Sequence, residues 1–185
     1  MTTLSIFNPD KPESPEQVVE NPAEIARLLK EQGVRYERWP TRALPAEATG
    51  NDILEAYADE VAHLKEESGF VTADVVSLTP DNPDKEAFRQ KFLDEHVHSE
   101  DEVRFFVHGQ GLFYLHLGEK VYAIMCRQCD LISVPNGTRH WFDMGPDPEF
   151  TCIRLFTNPE GWVAQFTGED IASRLPRYEQ LAGAA

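Results

Sequence analysis

Strand-length apolar segments follow one another along the second half of this 185-residue chain, and they constrain its fold more than any other feature. The segments cover residues 103–107, 112–117, 121–126, 131–134, 140–144 and 150–156. Turn-forming residues lie between them, including His108-Gly109-Gln110-Gly111 and Asn136-Gly137. Short strands that recur at roughly 8–12 residue spacing with such turns are typical of an antiparallel sandwich or barrel. The sequence therefore predicts a mainly β protein from residue 96 onward.

Helices are predicted in the N-terminal half. Asn21-Pro22 supplies a capping side chain and a proline at a helix start, and Gly33 ends that helix. Asn51 begins a second, longer helix whose apolar residues recur at helical spacing as far as Gly69. The remaining predicted elements are strands over 34–39 and 71–78 and a short helix over 85–93.

The composition is that of an acidic globular chain, with Lys+Arg 17, Asp+Glu 32, a net charge of -15 and 41% hydrophobic residues. That charge argues against nucleic acid and anionic membrane surfaces as partners. No apolar run approaches the roughly 18 residues of a membrane span, and the N-terminus lacks a signal-peptide pattern. The 3 cysteines do not indicate a disulfide framework. We therefore predict a cytoplasmic protein with a single domain over 1–185, divided into a helical and strand part (1–94), a metal-binding barrel core (95–157) and a covering segment (158–185).

Potential metal ligands stand at spacings that can close around one ion: His96, His98, Glu102 and His140. Alternate residues of a strand share a face, so His96 and His98 point the same way, and Glu102 keeps that parity if the chain is extended. Imidazole and carboxylate ligands suit iron, nickel, manganese or zinc rather than calcium or magnesium. The remaining histidines are assigned ordinary surface or core positions: His63, His108 and His116.

Two further features have a functional and an ordinary interpretation. Cys126 and Cys129 form a C-x-x-C pair, which invites a zinc or redox interpretation, although the chain has a single pair of this kind. The acidic pairs Asp94-Glu95 and Glu100-Asp101 are predicted to lie on solvated faces.

Residues 96–145 resemble the cupin family of small β-barrels. The first cupin motif is His-x-His, three or four residues, Glu, six residues and Gly, and it is matched from His96 to Gly109. The second motif, Pro-x-Gly-x-x-His, is matched from Pro135 to His140. Cupins usually have a glycine six residues before that proline, where this chain has Cys129. The resemblance implies a cupin double-stranded β-helix (jelly-roll) barrel, here with N-terminal helices packed outside it.

A narrower resemblance, over nearly the whole chain, is to the acireductone dioxygenases of methionine salvage. The segments that carry it are Lys91-Phe92, Glu102-Val103-Arg104-Phe105, His140-Trp141-Phe142-Asp143, and Arg154-Leu155-Phe156 with Trp162. The helical part before the barrel is similar to that family as well, whereas minimal cupins lack it.

This resemblance implies one Fe²⁺ or Ni²⁺ per chain, bound by His96, His98, Glu102 and His140 with two coordination positions left open. It implies acireductone (1,2-dihydroxy-3-keto-5-methylthiopentene) and O2 as small-molecule partners, and we expect the chain to be a monomer. In the family, iron directs cleavage to 2-keto-4-methylthiobutyrate and formate, and nickel to 3-methylthiopropionate, formate and CO. The alternatives are another cupin dioxygenase or isomerase, and a metabolite-binding cupin without catalysis.

Arg104 is the predicted catalytic and substrate-binding cation. On a continuing strand it faces the same way as Glu102, where it would hold an anionic substrate; the alternative is an outward arginine paired with Glu100 or Asp101. Arg154 is a second candidate cation. An inward position at the site and an outward position on the surface are equally open alternatives for its side chain. The candidates for an apolar wall around the methylthio tail, each with ordinary core packing as its alternative, are Phe92, Phe142 and Trp162.

Overall fold

The computed structural model of the chain describes residues 1–45, 47–158 and 162–183. Its strands are β1 (Thr3–Phe7), β2 (Gln17–Val19), β3 (Arg35–Arg38), β4 (Thr72–Leu78), β5 (His96–Val97), β6 (Glu102–Leu117), β7 (Lys120–Arg127), β8 (Asp130–Val134), β9 (Arg139–Asp143), β10 (Phe150–Phe156) and β11 (Gln165–Phe166). Its helices are α1 (Pro22–Glu31), α2 (Gly50–Ala56), α3 (Ala58–Ser68), α4 (Lys85–Phe92), α5 (Ile171–Arg174) and α6 (Tyr178–Ala182). Among the helices in these ranges, none is long and apolar enough to cross a membrane.

The long strand β6 joins two antiparallel sheets. One sheet has the order β11-β5-β9-β6-β7-β1-β2, and the other has the order β4-β10-β6-β8-β3. The first half of β6 pairs with β8 and β10, and its second half pairs with β7 and β9. Because β1, β3 and β4 pair with strands of the C-terminal half, the N-terminal part of the chain contributes to both sheets.

Strand β6 is continuous where the sequence predicts two strands and a turn, so that prediction was wrong. Its register against β10 skips one residue, because Thr151 faces His108 whereas Cys152 faces Phe106. Such a bulge inserts one extra residue and bends the strand without reversing the chain. Gly109 follows with φ +75°, and a Cβ added there would lie 1.8 Å from the carbonyl oxygen of Glu149. The motif glycine therefore serves a bend in a continuous strand.

Apolar clusters lie between the sheets and on their outer faces. The interior cluster contains Phe106 and extends to residues of both sheets. On one outer face, Leu64 of α3 belongs to the same cluster as Phe105 of β6. On another, Leu175, which follows α5, belongs to the cluster of Tyr114. Helices thus cover the outside of the sheets and leave the inward faces of the strands to form the site.

The second predicted helix differs from the observed structure in two respects. It begins after Thr49 rather than at Asn51, because Thr49 and Asp52 form a reciprocal capping box. It is also divided at Tyr57 into α2 and α3, which end and begin at that residue. The short strand β2 was not predicted, since it consists of three residues in an otherwise polar and proline-containing segment.

Candidate metal centre and its cavity

Three histidines from two strands and a loop lie together inside the barrel. His96 of β5 is the Cα partner of His140 on β9, and His98 follows directly after β5. Their possible ligand atoms all lie within 4.8 Å of one another. The three residues are buried, with exposed fractions of 2%, 6% and 2% for His96, His98 and His140. Residues 44 positions apart in the sequence are therefore neighbours because β5 and β9 pair.

Glu102, the first residue of β6, completes the cluster. Its Oε2 atom lies 3.0 Å from Nε2 of His98 and 3.2 Å from Nε2 of His140. Ligand atoms in adjacent positions around one ion, each about 2.1 Å from it, are about 3.0 Å apart. The separations between these donor atoms therefore fit a single first-row transition metal ion.

The backbone orients each histidine ring in the same way. Nδ1 of His96 lies 2.8 Å from the carbonyl oxygen of Asp94, and Nδ1 of His98 lies 3.0 Å from that of Val163. Nδ1 of His140 lies 2.7 Å from the carbonyl oxygen of Thr138. A carbonyl oxygen can only accept, so Nδ1 carries the proton in each ring and Nε2 presents a lone pair to the centre. Three bare Nε2 atoms and a carboxylate are a donor set for iron, nickel or zinc.

Two loops that carry the cupin motifs are tied to each other beside the cluster. The backbone N–H of Gly137 donates to the carbonyl oxygen of His98 at 2.8 Å. Oδ1 of Asp101 accepts from the backbone N–H and the side-chain amide of Asn136, at 2.8 and 3.2 Å. These contacts fix the loop between His98 and Glu102, which is not a strand, against the turn that precedes His140. Parity along one strand therefore does not explain why Glu102 joins the cluster; the loop contacts do.

Electrostatics keeps the buried carboxylate charged. Burial alone would raise the pKa of Glu102, but the positive charge of Arg104 and the neighbouring His140 and His98 hold that pKa well below its usual value. Burial lowers the pKa of His96 to about 4. For His98 the same burial is outweighed by the hydrogen bond and charge of Glu102, so its pKa is raised. The centre thus combines an ionised carboxylate with imidazoles and attracts a cation.

Arg104 lies inside the barrel next to this cluster, with 5% of its surface exposed. Its Nε donates to Oε1 of Glu102 at 2.8 Å, which leaves Oε2 of that carboxylate facing the histidines. The guanidinium carbon lies 4.8 Å from the ring centre of Phe142 and 5.5 Å from that of Trp162. The outward position beside Glu100 or Asp101 is not the one observed.

A cavity of about 460 Å³ opens onto His98, Glu102 and Arg104. Phe92 and Trp162 also line it. Phe142 is 1% exposed and packs behind Arg104 in the interior cluster instead of on the wall. A neighbouring cavity of about 340 Å³ has a more apolar lining that includes Val76, Leu78, Met144 and Phe150.

Arg154 lines both cavities and carries a partner that the sequence analysis missed. On β10 it faces Arg104 of β6 on one side and Asp74 of β4 on the other. Its Nε and Nη2 donate to the carboxylate of Asp74 at 2.8 and 2.6 Å. No sequence signal marks Asp74, because the pairing of β4 with β10 brings together residues 80 positions apart.

The prediction that Glu95 is solvated was wrong. Glu95 is 1% exposed, and its carboxylate accepts from Nδ1 of His116 at 2.7 Å and from Oγ1 of Thr167 at 2.9 Å. Glu100 and Asp101 also accept hydrogen bonds. Glu100 accepts from Oγ1 of Thr157, and Asp101 accepts from the backbone N–H of Asn136. Glu95 directly precedes His96, so these hydrogen bonds anchor the start of β5 to β6 and to the segment after β11.

The cysteines do not form a cluster with the histidines in the part of the chain that the structure describes. Cys126 is buried in the interior, and burial raises the pKa of its thiol. Burial likewise raises the pKa of Cys152 to about 12. A thiol must lose its proton to bind a metal or to react, so both buried side chains act as apolar core.

Two antiparallel sheets with three histidines and a glutamate on their inward side are the arrangement of a cupin barrel with a candidate metal centre. A sequence profile described as the ARD/ARD′ family matches residues 3–164 of the chain. The chain belongs to this family, the family of the acireductone dioxygenases.

Known relatives are similar to this chain over nearly its full length. The chain is 72% identical over 185 residues to "Acireductone dioxygenase" of Marinobacter nauticus, with 100% of both chains covered. It is 66% identical over 181 residues to the protein of the same name from Hahella chejuensis, with 98% of each covered. A solved structure, "Acireductone dioxygenase from Bacillus anthracis with cadmium ion in active center", superposes with a TM-score of 0.77 at 30% identity and covers 90% of this chain and 98% of that one. The predicted cupin fold is thereby confirmed.

Proposed function

We propose that this chain is an acireductone dioxygenase that binds one Fe²⁺ or Ni²⁺ through His96, His98, Glu102 and His140. It cleaves 1,2-dihydroxy-3-keto-5-methylthiopentene with O2 in methionine salvage. The observation that carries this proposal is the convergence of three Nε2 atoms and Oε2 of Glu102 beside a cavity that also holds Arg104. The family membership and the cadmium-containing relative support the same conclusion.

When bound by His96, His98, Glu102 and His140, the metal would supply a Lewis acid and a template for the enediol and O2. The proposed products depend on the metal. They are 2-keto-4-methylthiobutyrate and formate with iron, and 3-methylthiopropionate, formate and CO with nickel.

Arg104 is the proposed catalytic residue of the protein itself. Its guanidinium faces the cavity while its Nε is held by Glu102, so the remaining N–H groups can bind a developing negative charge on the substrate. The same contact orients Glu102 toward the histidines. Arg104 therefore acts on the substrate and on the geometry of the centre.

The aromatic residues of the cavity are proposed to surround the apolar end of the substrate. Phe92 and Trp162 form its wall, and Phe142 supports the guanidinium of Arg104 from behind. Trp162 is fixed by a hydrogen bond of 3.1 Å from its Nε1 to the carbonyl oxygen of Asp101. Arg154, already paired with Asp74, is proposed to border the substrate rather than to neutralise its charge.

The function is tested by mixing synthetic acireductone anaerobically with iron-loaded and nickel-loaded protein and then admitting oxygen. We expect rapid loss of the enediol absorbance in both samples, with CO released only from the nickel form. Protein stripped of metal is the control and should react no faster than buffer. Persistent enediol absorbance with fully loaded protein would contradict the proposal.

We further propose that residues 1–185 act as one domain in a cytoplasmic monomer. The charge of -15 opposes nucleic acid and anionic membranes as partners, and the free cysteines suit a reducing compartment. The pairing of β1, β3 and β4 with barrel strands supports a single folding unit. Light scattering on a gel-filtration column should give a mass near 21.0 kDa, and twice that mass would contradict the monomer.

A further inference from the structure

The cavity beside the metal centre is lined by three cations, Lys91, Arg104 and Arg154. Two of them are neutralised within the cavity itself. Arg104 contacts Glu102 at 2.8 Å, and Arg154 contacts Asp74 at 2.6 Å. Both carboxylates line the same cavity. These two ion pairs therefore add little net charge to the space that a substrate enters.

Lys91 differs from both arginines. Among the residues that the structure describes, no carboxylate lies within ion-pair distance of its Nζ atom. Its Nζ lies 5.5 Å from the ring centre of Phe92, which also lines the cavity. The side chain is exposed, and it lines the 460 Å³ cavity and the 340 Å³ cavity alike. It therefore stands at the boundary between solvent and the two cavities.

Helix α4 holds Lys91 at this place. Arg89, two residues earlier, is buried and donates to both carboxylate oxygens of Asp143 at 2.8 and 3.1 Å. It also contacts Glu179 of α6 at 2.8 Å. The end of α4 is thus fixed to β9, the strand that carries His140, and this holds the backbone of Lys91 at the cavity mouth.

The negative charge of the whole protein gives an unpaired cation at the cavity mouth a larger effect on the binding of an anion. With a net charge of -15 the chain repels an anionic substrate at long range. Arg104 and Arg154 each contact a carboxylate, and Arg104 lies buried beside the metal centre, so neither presents an unpaired charge at the cavity mouth. Among the described side chains that line the cavity, Lys91 is the cation without a carboxylate partner, and it meets an anion from solvent before the buried metal centre does.

We infer that Lys91 is a specificity-determining residue that captures the anionic enediolate substrate at the cavity mouth. This inference rests on the proposed function. Lys91 acts on the encounter and on ground-state binding, whereas Arg104 acts beside the reacting atoms. Its removal should therefore raise KM and the dissociation constant of the substrate and leave kcat nearly unchanged.

The test compares Lys91→Gln with Lys91→Arg and with Lys30→Gln. Lys30 is a matched control, because it too is an exposed lysine in the last turn of a helix, α1, and has no carboxylate partner among the residues that the structure describes. We expect Lys91→Gln to raise KM and the anaerobic dissociation constant of acireductone about tenfold, with kcat within about twofold of wild type. Lys91→Arg should restore most of the loss, and Lys30→Gln should match wild type.

Salt separates an electrostatic role from a structural one. Raising NaCl from about 0.02 M to about 0.5 M should shrink the ratio of wild-type to Lys91→Gln kcat/KM, since screening removes the advantage of the charge. Equal KM values in wild type and Lys91→Gln, or a ratio that does not change with salt, would overturn the inference. If wild type itself does not turn over acireductone, the proposed function fails; an active wild type with an unaffected Lys91→Gln variant refutes only the role of Lys91.

Discussion

Replacing Arg89 by methionine tests whether a buried ion pair joins α4 to β9. The side chain of Arg89 is 10% exposed and that of Asp143 is 1% exposed, so the substitution leaves a carboxylate buried without its cation. Removal of one partner from such a pair costs about 3–5 kcal/mol. Asp143 keeps hydrogen bonds of 3.0 Å from the backbone N–H groups of Gly145 and Tyr178, so we expect the lower end, about 3 kcal/mol.

The assay is urea and thermal unfolding of metal-free protein, because bound metal would add its own stabilisation. For a chain of this length, a loss of about 3 kcal/mol lowers Tm by about 6–12 °C. The matched control is Arg27→Met on the exposed face of α1, where Arg27 also contacts two glutamates, and its transition should stay close to that of wild type.

A second substitution separates the loss of charge pairing from the loss of packing. Adding Asp143→Asn to Arg89→Met removes the stranded charge and should recover at least about 1 kcal/mol relative to the single variant. If Arg89→Met unfolds at the same urea concentration as Arg27→Met, the ion pair does not stabilise the junction and the reasoning is refuted.

Other consequences of the structure are open to similar measurements. Cys129, where cupins usually have glycine, has φ +83°, so Cys129→Gly should raise the unfolding free energy by about 0.5–1 kcal/mol; a destabilised variant would argue against backbone strain. Burial raises the pKa of Asp130 above 3.8, so the folded chain holds this proton more tightly than the unfolded chain, and the resulting stability is lost as the pH rises through the folded-state pKa. The unfolding free energy of Asp130→Asn, measured in urea, should therefore gain on that of wild type as the pH rises from about 4, and parallel curves would count against this expectation. Arg104→Ala should bind metal normally yet lose kcat/KM about 100-fold or more in the oxygen-admission assay, and unchanged turnover would exclude its catalytic role.

The sequence predicts the strands of the barrel well, because their apolar patterning is local. It predicts β6 poorly, since Gly109 and its neighbours are typical of a turn. What keeps the chain extended is pairing with β7, β9 and β10, which lie further along the sequence. The close approach of the Glu149 carbonyl oxygen to Gly109 is likewise a tertiary contact that no window of the sequence contains.

The candidate site could be recognised because its residues stand in two short motifs with fixed spacing. Several of the residues that support the site could not be recognised in this way. Glu95 is buried because His116 lies beside it on β6, and Asp74 matters because β4 pairs with β10. Lys91 stands out because no carboxylate among the described residues pairs with it, and that can be seen only from the positions of the side chains. Charge partners in a sheet are set by strand order, which the sequence alone does not provide.

Metal content is the measurement that tests the central claim most directly. Protein stripped with a chelator, reloaded with Ni²⁺ and desalted should carry about one nickel per chain by mass spectrometry. His96→Ala and His140→Ala should each lose it, whereas His63→Ala, on an exposed residue of α3, should retain it. Full nickel occupancy in both His96→Ala and His140→Ala would contradict the assignment of this cluster as the metal centre.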